Sequence, residues 1–267
     1  MKTQICMNRL LWITLMVIGL FGCSEEQSPE ENTESGIIQG EENTDNATVI
    51  QLNSSDQYQT VEGIGGGIAN YENWYCQHPN KKELFDLIFK DLKISMIRIG
   101  NWYEKKVSNE NPNILKQQKE IMDAAVQRLG RSNFSVMMSN WLVTPDLIDR
   151  AKEKGATLKR NNEGKYMYKE FGEWCRMTLK AYQEADMAPD YLSMMNEPDG
   201  DNSAGTKICL GYGTDDSQKA NYGKALEATY EAFKEVSNRP KLIGPEVLGI
   251  GYGTFSNYYR DLNPDLL

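Results

Sequence analysis

Histidine is nearly absent: His78 is the only one among 267 residues, and it stands in a polar Gln-His-Pro-Asn stretch. A lone loop histidine is a solvated side chain, so Ser-His-Asp, Cys-His and histidine-based metal chemistry have no support. Cysteine is scarce too. Of five, Cys6 and Cys23 lie near the N-terminus, leaving Cys76, Cys175 and Cys209, an odd number without Cys-x-x-Cys or Cys/His metal spacing. Cations are outnumbered, with 29 Lys and Arg against 38 Asp and Glu for a net charge of −9. A phosphate-binding surface needs the opposite balance, which excludes nucleic acid as a partner. The longest apolar run, Leu10 to Phe21, is too short to span a bilayer. If chemistry happens here, carboxylates must do it, and neither a metal nor an organic cofactor is implied.

What is present begins with an export signal. Lys2 and Arg9 form a positive n-region before the apolar run, which ends in Leu20-Phe21-Gly22-Cys23. A small residue before cysteine at that place resembles the bacterial lipobox, so residues 1–23 are expected to be a lipoprotein signal with Cys23 as the lipidated residue. Ser24-Glu25-Glu26 resembles the acidic export tag of surface lipoproteins in some Gram-negative gut bacteria. An outer-membrane lipoprotein, anchored through lipid alone, is the expected location. Residues 24–47 carry eight acidic and no basic side chains and read as a solvated tether. Those eight charges, set against Lys2 and Arg9, leave −3 for residues 48–267, so the folded part is only mildly acidic.

From residue 48 the chain alternates. After a short β-prone run, Thr48–Leu52, strands are predicted at 61–68, 94–99, 134–138, 191–195 and 241–244. Helices are predicted at 81–92, 114–129, 168–185 and 218–236, with a shorter one from Thr254. Near-continuously apolar strands alternating with helices mean parallel βα units, with the sheet buried on both faces. Four strands end in polar or aromatic clusters: Gly100-Asn101-Trp102, Ser139-Asn140-Trp141, Asn196-Glu197-Pro198 and Pro245-Glu246. Barrels assemble sites from the carboxyl ends of several strands, whereas doubly wound sheets bind at one switch point, so a barrel is favoured.

Gly63-Ile64-Gly65-Gly66-Gly67 lacks the third glycine of a dinucleotide fingerprint, which falls at Ile68, and a loop at Ala69–Trp74 is expected after it. Those glycines suit a strand that bends and lets a ligand approach its backbone. Glu197 is the sharpest catalytic candidate. Asn-Glu-Pro sets a carboxylate at the last pleat of a strand, and Pro198 ends the pairing. A half-buried carboxyl there suits proton transfer to a glycosidic oxygen. Asn196 can hold a sugar hydroxyl, Trp141, Trp102 and Trp74 can stack on sugar faces, and Asn101 lies at a strand end. Arg98, inside an apolar strand, needs a carboxylate partner, for which Glu62 is the plain structural choice.

Taken together, Gln59–Gly66, Met96-Ile97-Arg98-Ile99, Ser139-Asn140-Trp141 followed by Pro145, Met195-Asn196-Glu197-Pro198-Asp199 and Lys241–Glu246 resemble, in order and spacing, glycoside hydrolase family 30. That family belongs to a clan of (β/α)8 retaining glycosidases that includes glucosylceramidases, β-1,6-glucanases and glucuronoxylanases. Asn140 stands where the family has proline, and Leu142-Val143-Thr144 departs from its motif. The resemblance implies a TIM barrel over 48–267, with Thr48–Leu52 as a strand of a flanking β-sandwich. It makes Glu197 the general acid/base of a retaining β-glycosidase acting on an oligo- or polysaccharide. Asn196 then contacts the 2-hydroxyl, Trp141 lines the −1 subsite and Arg98 supports the nucleophile. In this clan the nucleophile ends the seventh strand, so the chain is expected to be truncated after about the fifth βα unit, with the nucleophile beyond Leu267. Glu246 closes the fifth strand, where the family has a non-nucleophilic Glu. A degenerate, non-catalytic glycan-binding lipoprotein is the alternative.

Overall fold

The computed structural model describes Ser55, Gln57, Tyr58 and residues 60–150, 156–200, 207–215, 218–250 and 254–267. The expected signal, Cys23, tether and Thr48–Leu52 strand lie outside these residues. By its contacts the chain divides into units 1–57 and 58–267. The second contains every element that follows.

Its strands are β1 (Gly65–Gly67), β2 (Met96–Asn101), β3 (Ser135–Asn140), β4 (Ile148–Asp149), β5 (Thr157–Leu158), β6 (Tyr191–Ser193), β7 (Leu210–Gly211), β8 (Ala220–Asn221) and β9 (Lys241–Ile243). The helices are α1 (Glu72–Cys76), α2 (Lys81–Asp86), α3 (Tyr103–Val107), α4 (Ile114–Leu129), α5 (Tyr168–Glu184), α6 (Tyr222–Phe233) and α7 (Thr254–Arg260). Five strands make one parallel sheet in the order β1-β2-β3-β6-β9. Each lies beside the strand that precedes it in this series, and the chain never reverses direction across the sheet. A doubly wound sheet has such a reversal; the wall of a βα barrel does not. The outer strands of this sheet are β1 and β9.

Period-two alternation sorts the residues of the sheet. Ile97, Ile99, Val136, Met138 and Leu192 are at most 2% exposed and pack in the cluster formed with the helices. Each such side chain contributes roughly 1.5–3 kcal/mol by leaving water. Arg98 and Ser139 take the opposite face. The apolar stripe of α5 is Phe171, Trp174, Cys175, Thr178, Leu179 and Tyr182, spaced at three and four residues, and it faces α6 and the sheet. Gly172 lets α5 and α6 meet: a Cβ there would lie 2.3 Å from the carbonyl oxygen of Ala228. Burial pushes the Cys175 thiol up to about 12, so it stays a neutral part of this core.

Three expectations are corrected. The predicted loop Ala69–Trp74 turns into α1 at Glu72, whose buried carboxylate accepts hydrogen bonds from Trp102 Nε1 (2.6 Å) and Gln118 Nε2 (3.1 Å). The first strand shrinks to Gly65–Gly67, the residues that pair in register with Met96–Arg98. The predicted helix at 81–92 ends as α2 and runs on as a π-turn, Leu87–Asp91.

Candidate active site

Arg98 in the middle of β2 meets Ser139 near the end of β3 and Asn196 and Glu246 just beyond β6 and β9. Arg98 reaches this place because Gly67↔Arg98 and Arg98↔Met137 pairing sets it on the face away from the helices. Its guanidinium is the hub. Nε donates to Ser139 Oγ (3.1 Å), and Nη2 donates to both Asn196 Oδ1 and Glu246 Oε1. Ser139 Oγ in turn donates to Glu246 Oε1 (3.1 Å). The guanidinium carbon lies 4.2 Å from the centroid of the Trp141 ring, a cation–π contact that fixes the indole beside the group. The partner of Arg98 is therefore Glu246, not Glu62. Glu62 is exposed and accepts a hydrogen bond from Tyr191 (3.3 Å).

Glu197 follows directly. Asn196 forms a parallel bridge with Glu246, and Glu197 N donates to Glu246 O (2.7 Å). The backbone of Glu197 then turns into the left-handed region, with φ 46°. A non-glycine residue there costs on the order of 1–3 kcal/mol and persists only where the surroundings fix it. Here Gly200 N closes the turn onto Glu197 O (3.0 Å). The carboxylate is ion-paired, with Oε2 2.8 Å from Lys207 Nζ.

Three polar atoms of this region are buried without a hydrogen-bond partner: Asn196 Nδ2, Glu246 Oε2 and the Tyr222 hydroxyl. Each unmade bond costs about 1–3 kcal/mol, and such groups in a native structure call for an explanation beyond stability. Burial, reinforced by the charge of Glu246, pushes the Tyr222 phenol well above its usual range, so it remains a neutral donor. Gly244 makes room for it, since a Cβ there would lie 2.3 Å from the Tyr222 oxygen.

Of the expected site residues, Asn196, Arg98 and Trp141 come together; Glu197 adjoins them through its backbone, and its carboxylate goes to Lys207. Asn101 and Trp102 do not join the polar group. Asn101 is three residues from Arg98 and points to the helix side, where it donates to Asn140 Oδ1 (2.8 Å) and Thr178 Oγ1 (2.9 Å). Trp102 is 2% exposed, bonded to Glu72 and packed 5.4 Å from Trp141, behind which it stands as support. Trp74 is exposed, paired edge-on with Tyr71. His78 is an exposed loop residue whose Nδ1 accepts from Asn80 N (3.1 Å). The sequence singles out neither Lys207 nor Tyr222 and shows Ser139 only as part of a strand-end cluster. The run Ile208-Cys209-Leu210 was the available signal for Lys207, because a cation next to a buried segment needs a carboxylate. A groove of about 810 Å³ between α2 and α4 lies elsewhere, and its Lys81, Lys119 and Arg128 are spent on Glu120, Asp123 and Asp86.

Over this part of the chain the parallel βα wall has a fold like that of solved glycoside hydrolases of family 30. The structure is similar to the catalytic domain of a family 30 xylanase C from Talaromyces cellulolyticus (TM-score 0.51, 12% identity, covering 78% of this chain and 52% of that one). An endo-β-1,6-glucanase gives 0.52 at 15% identity over 73% and 46% of the two chains. A conserved exported protein from Bacteroides fragilis gives 0.53 at 14% identity over 73% and 45%. The chain thus spans about half the length of these structures. No protein-family model matches the sequence. No curated protein matches it either.

Proposed function

We propose that these residues form the acid/base side of a retaining β-glycoside hydrolase acting on a β-linked glycan. The observation that carries this reading is the cluster of Arg98, Asn196, Glu246 and Trp141 on neighbouring parallel strands, with Glu197 next in the chain after Asn196 and bonded through its backbone N to Glu246. Glu197 gives its proton to the glycosidic oxygen as the C1–O bond breaks, while a second carboxylate bonds to the anomeric carbon. Glu197 then takes a proton from the water that displaces that carboxylate, which restores both groups. Asn196 and Trp141 hold the sugar. Glu246, held by Arg98 and Ser139, helps to place it rather than attack it.

A second reading, a non-catalytic glycan-binding protein, is favoured by one observation: both carboxylates of the group are ion-paired, Glu197 to Lys207 and Glu246 to Arg98. Incubating the intact gene product with β-linked xylan and glucans, and following released sugar by NMR, separates the two. Cleavage with the β-configuration kept in the first-formed product supports the hydrolase. Binding without cleavage supports the second reading, and absence of both contradicts each.

We further propose that the protein is exported and anchored at Cys23 by lipid. Cells fed radiolabelled palmitate should label the protein, and Cys23→Ala should remove the label. Equal labelling of both forms would rule out this anchor.

A further inference from the structure

The ion pair on Glu197 has an unusual partner. Lys207 is only 8% exposed, and among the described residues Glu197 is the one carboxylate within 4.0 Å of its Nζ. A buried ammonium persists where its surroundings hold both it and its counter-charge in place. Here they do so through a strap. Ile208, Cys209 and Leu210 are fully buried. Cys209 N donates to Ala156 O (2.7 Å), and Thr157 Oγ1 donates to Cys209 O (2.8 Å). Two further bonds return to the turn just after Glu197: Leu210 N to Pro198 O (2.9 Å) and Cys209 Sγ to Gly200 O (2.5 Å). Strap and turn are therefore tied to each other by hydrogen bonds. The left-handed backbone of Glu197 sets where its Cβ points, but it leaves the carboxylate free to rotate. The Lys207 ammonium removes that freedom by holding Oε2, and Oε1 is left for the glycosidic oxygen.

We propose that Lys207 is the positioning residue of the acid/base: it fixes the rotamer of Glu197 and assigns one oxygen to structure and the other to proton transfer. This rests on the hydrolase reading above. Lys207 touches no substrate atom and acts through Glu197 alone.

The test uses Lys207→Met and Lys207→Arg in the intact gene product, on an unactivated β-glycan and on an aryl β-glycoside whose phenolate leaves without a proton. Misplacing a catalytic group by about 1 Å costs about 100-fold, so Lys207→Met should lower kcat/KM on the glycan by about that factor through kcat, with KM little changed. The aryl glycoside, which needs no acid in its first step, should lose under about threefold in that step. Lys207→Arg, which keeps a cation, should recover most of the loss. Near-UV circular dichroism checks folding; if Lys207→Met does not fold, Lys207→Gln should give the same split between substrates at smaller size. Equal losses on the two substrates, or no loss on either, would overturn the proposal while leaving the hydrolase reading standing. A wild-type protein that cleaves neither substrate would overturn both.

Discussion

Glu197→Gln in the intact gene product should lower kcat/KM on unactivated β-glycans by about 10³-fold, within the 10²–10⁴ range of general acid–base catalysis. The substitution changes one atom and keeps the amide oxygen in the carboxylate's place, so it removes proton transfer with little change of shape. Loss of the charge also leaves Lys207, 8% exposed, without its anion, and some stability goes with it. The two effects are separable. Stability is read from the urea midpoint and is the same for every substrate, whereas the catalytic loss depends on the leaving group. Aryl glycosides with acidic phenols should keep a nearly normal first step and accumulate the glycosyl-enzyme, because the second step still lacks its base. Stopped-flow release of phenol would show this as a burst. A variant equally impaired on glycans and aryl glycosides, with no burst, would mean that Glu197 does not act as the acid/base.

Arg98→Met should be the most disruptive change on the opposite side of the group. The guanidinium contacts Ser139, Asn196 and Glu246 and covers Trp141, so the shorter, uncharged methionine removes four interactions at once. Glu246, whose side chain is 19% exposed, is then left without its cation. Removing one partner of a buried pair costs about 3–5 kcal/mol, and partial exposure puts this case near the lower end. Affinity for a β-linked oligosaccharide should fall about 100-fold, equivalent to about 2.7 kcal/mol, because Asn196 and Trp141 lose the group that aligns them. Arg98→Lys should recover charge but not the fork that reaches Asn196 and Ser139 together, and thus part of the stability and little of the affinity. Isothermal titration and urea unfolding measure both quantities. Unchanged affinity in Arg98→Met would remove this group from the sugar site.

Much of this fold could be read from spacing. The helix Ile114–Leu129 is legible at both ends, where its apolar stripe starts and stops. The parallel strands were visible as short apolar runs between helical patterns. The partner of Arg98 was not, because it depends on the register between strands far apart in sequence, which turns Arg98 toward Glu246 rather than Glu62. Asn101 is a different case. Counting by twos from Arg98 would have sent it to the helix side, where it meets Asn140 and Thr178. Pairs as short as β4/β5 and β7/β8 have two residues per strand, too few for any period to register. Lys207 reaches Glu197 through the bonds of its strap to Pro198 and Gly200, contacts that no local pattern encodes.

The most direct measurement is rescue of Glu197→Ala by azide, with an activated aryl β-glycoside as substrate for the intact gene product. The phenolate leaves without help, and the glycosyl-enzyme ester waits for a nucleophile that needs no base. Azide fits the space left by the carboxylate, bonds to the anomeric carbon and releases the enzyme's carboxylate. An azide-dependent rise in turnover with a β-glycosyl azide as product is the predicted result. Turnover indifferent to azide, or an α-glycosyl azide, would contradict an acid/base role for Glu197 in a retaining site.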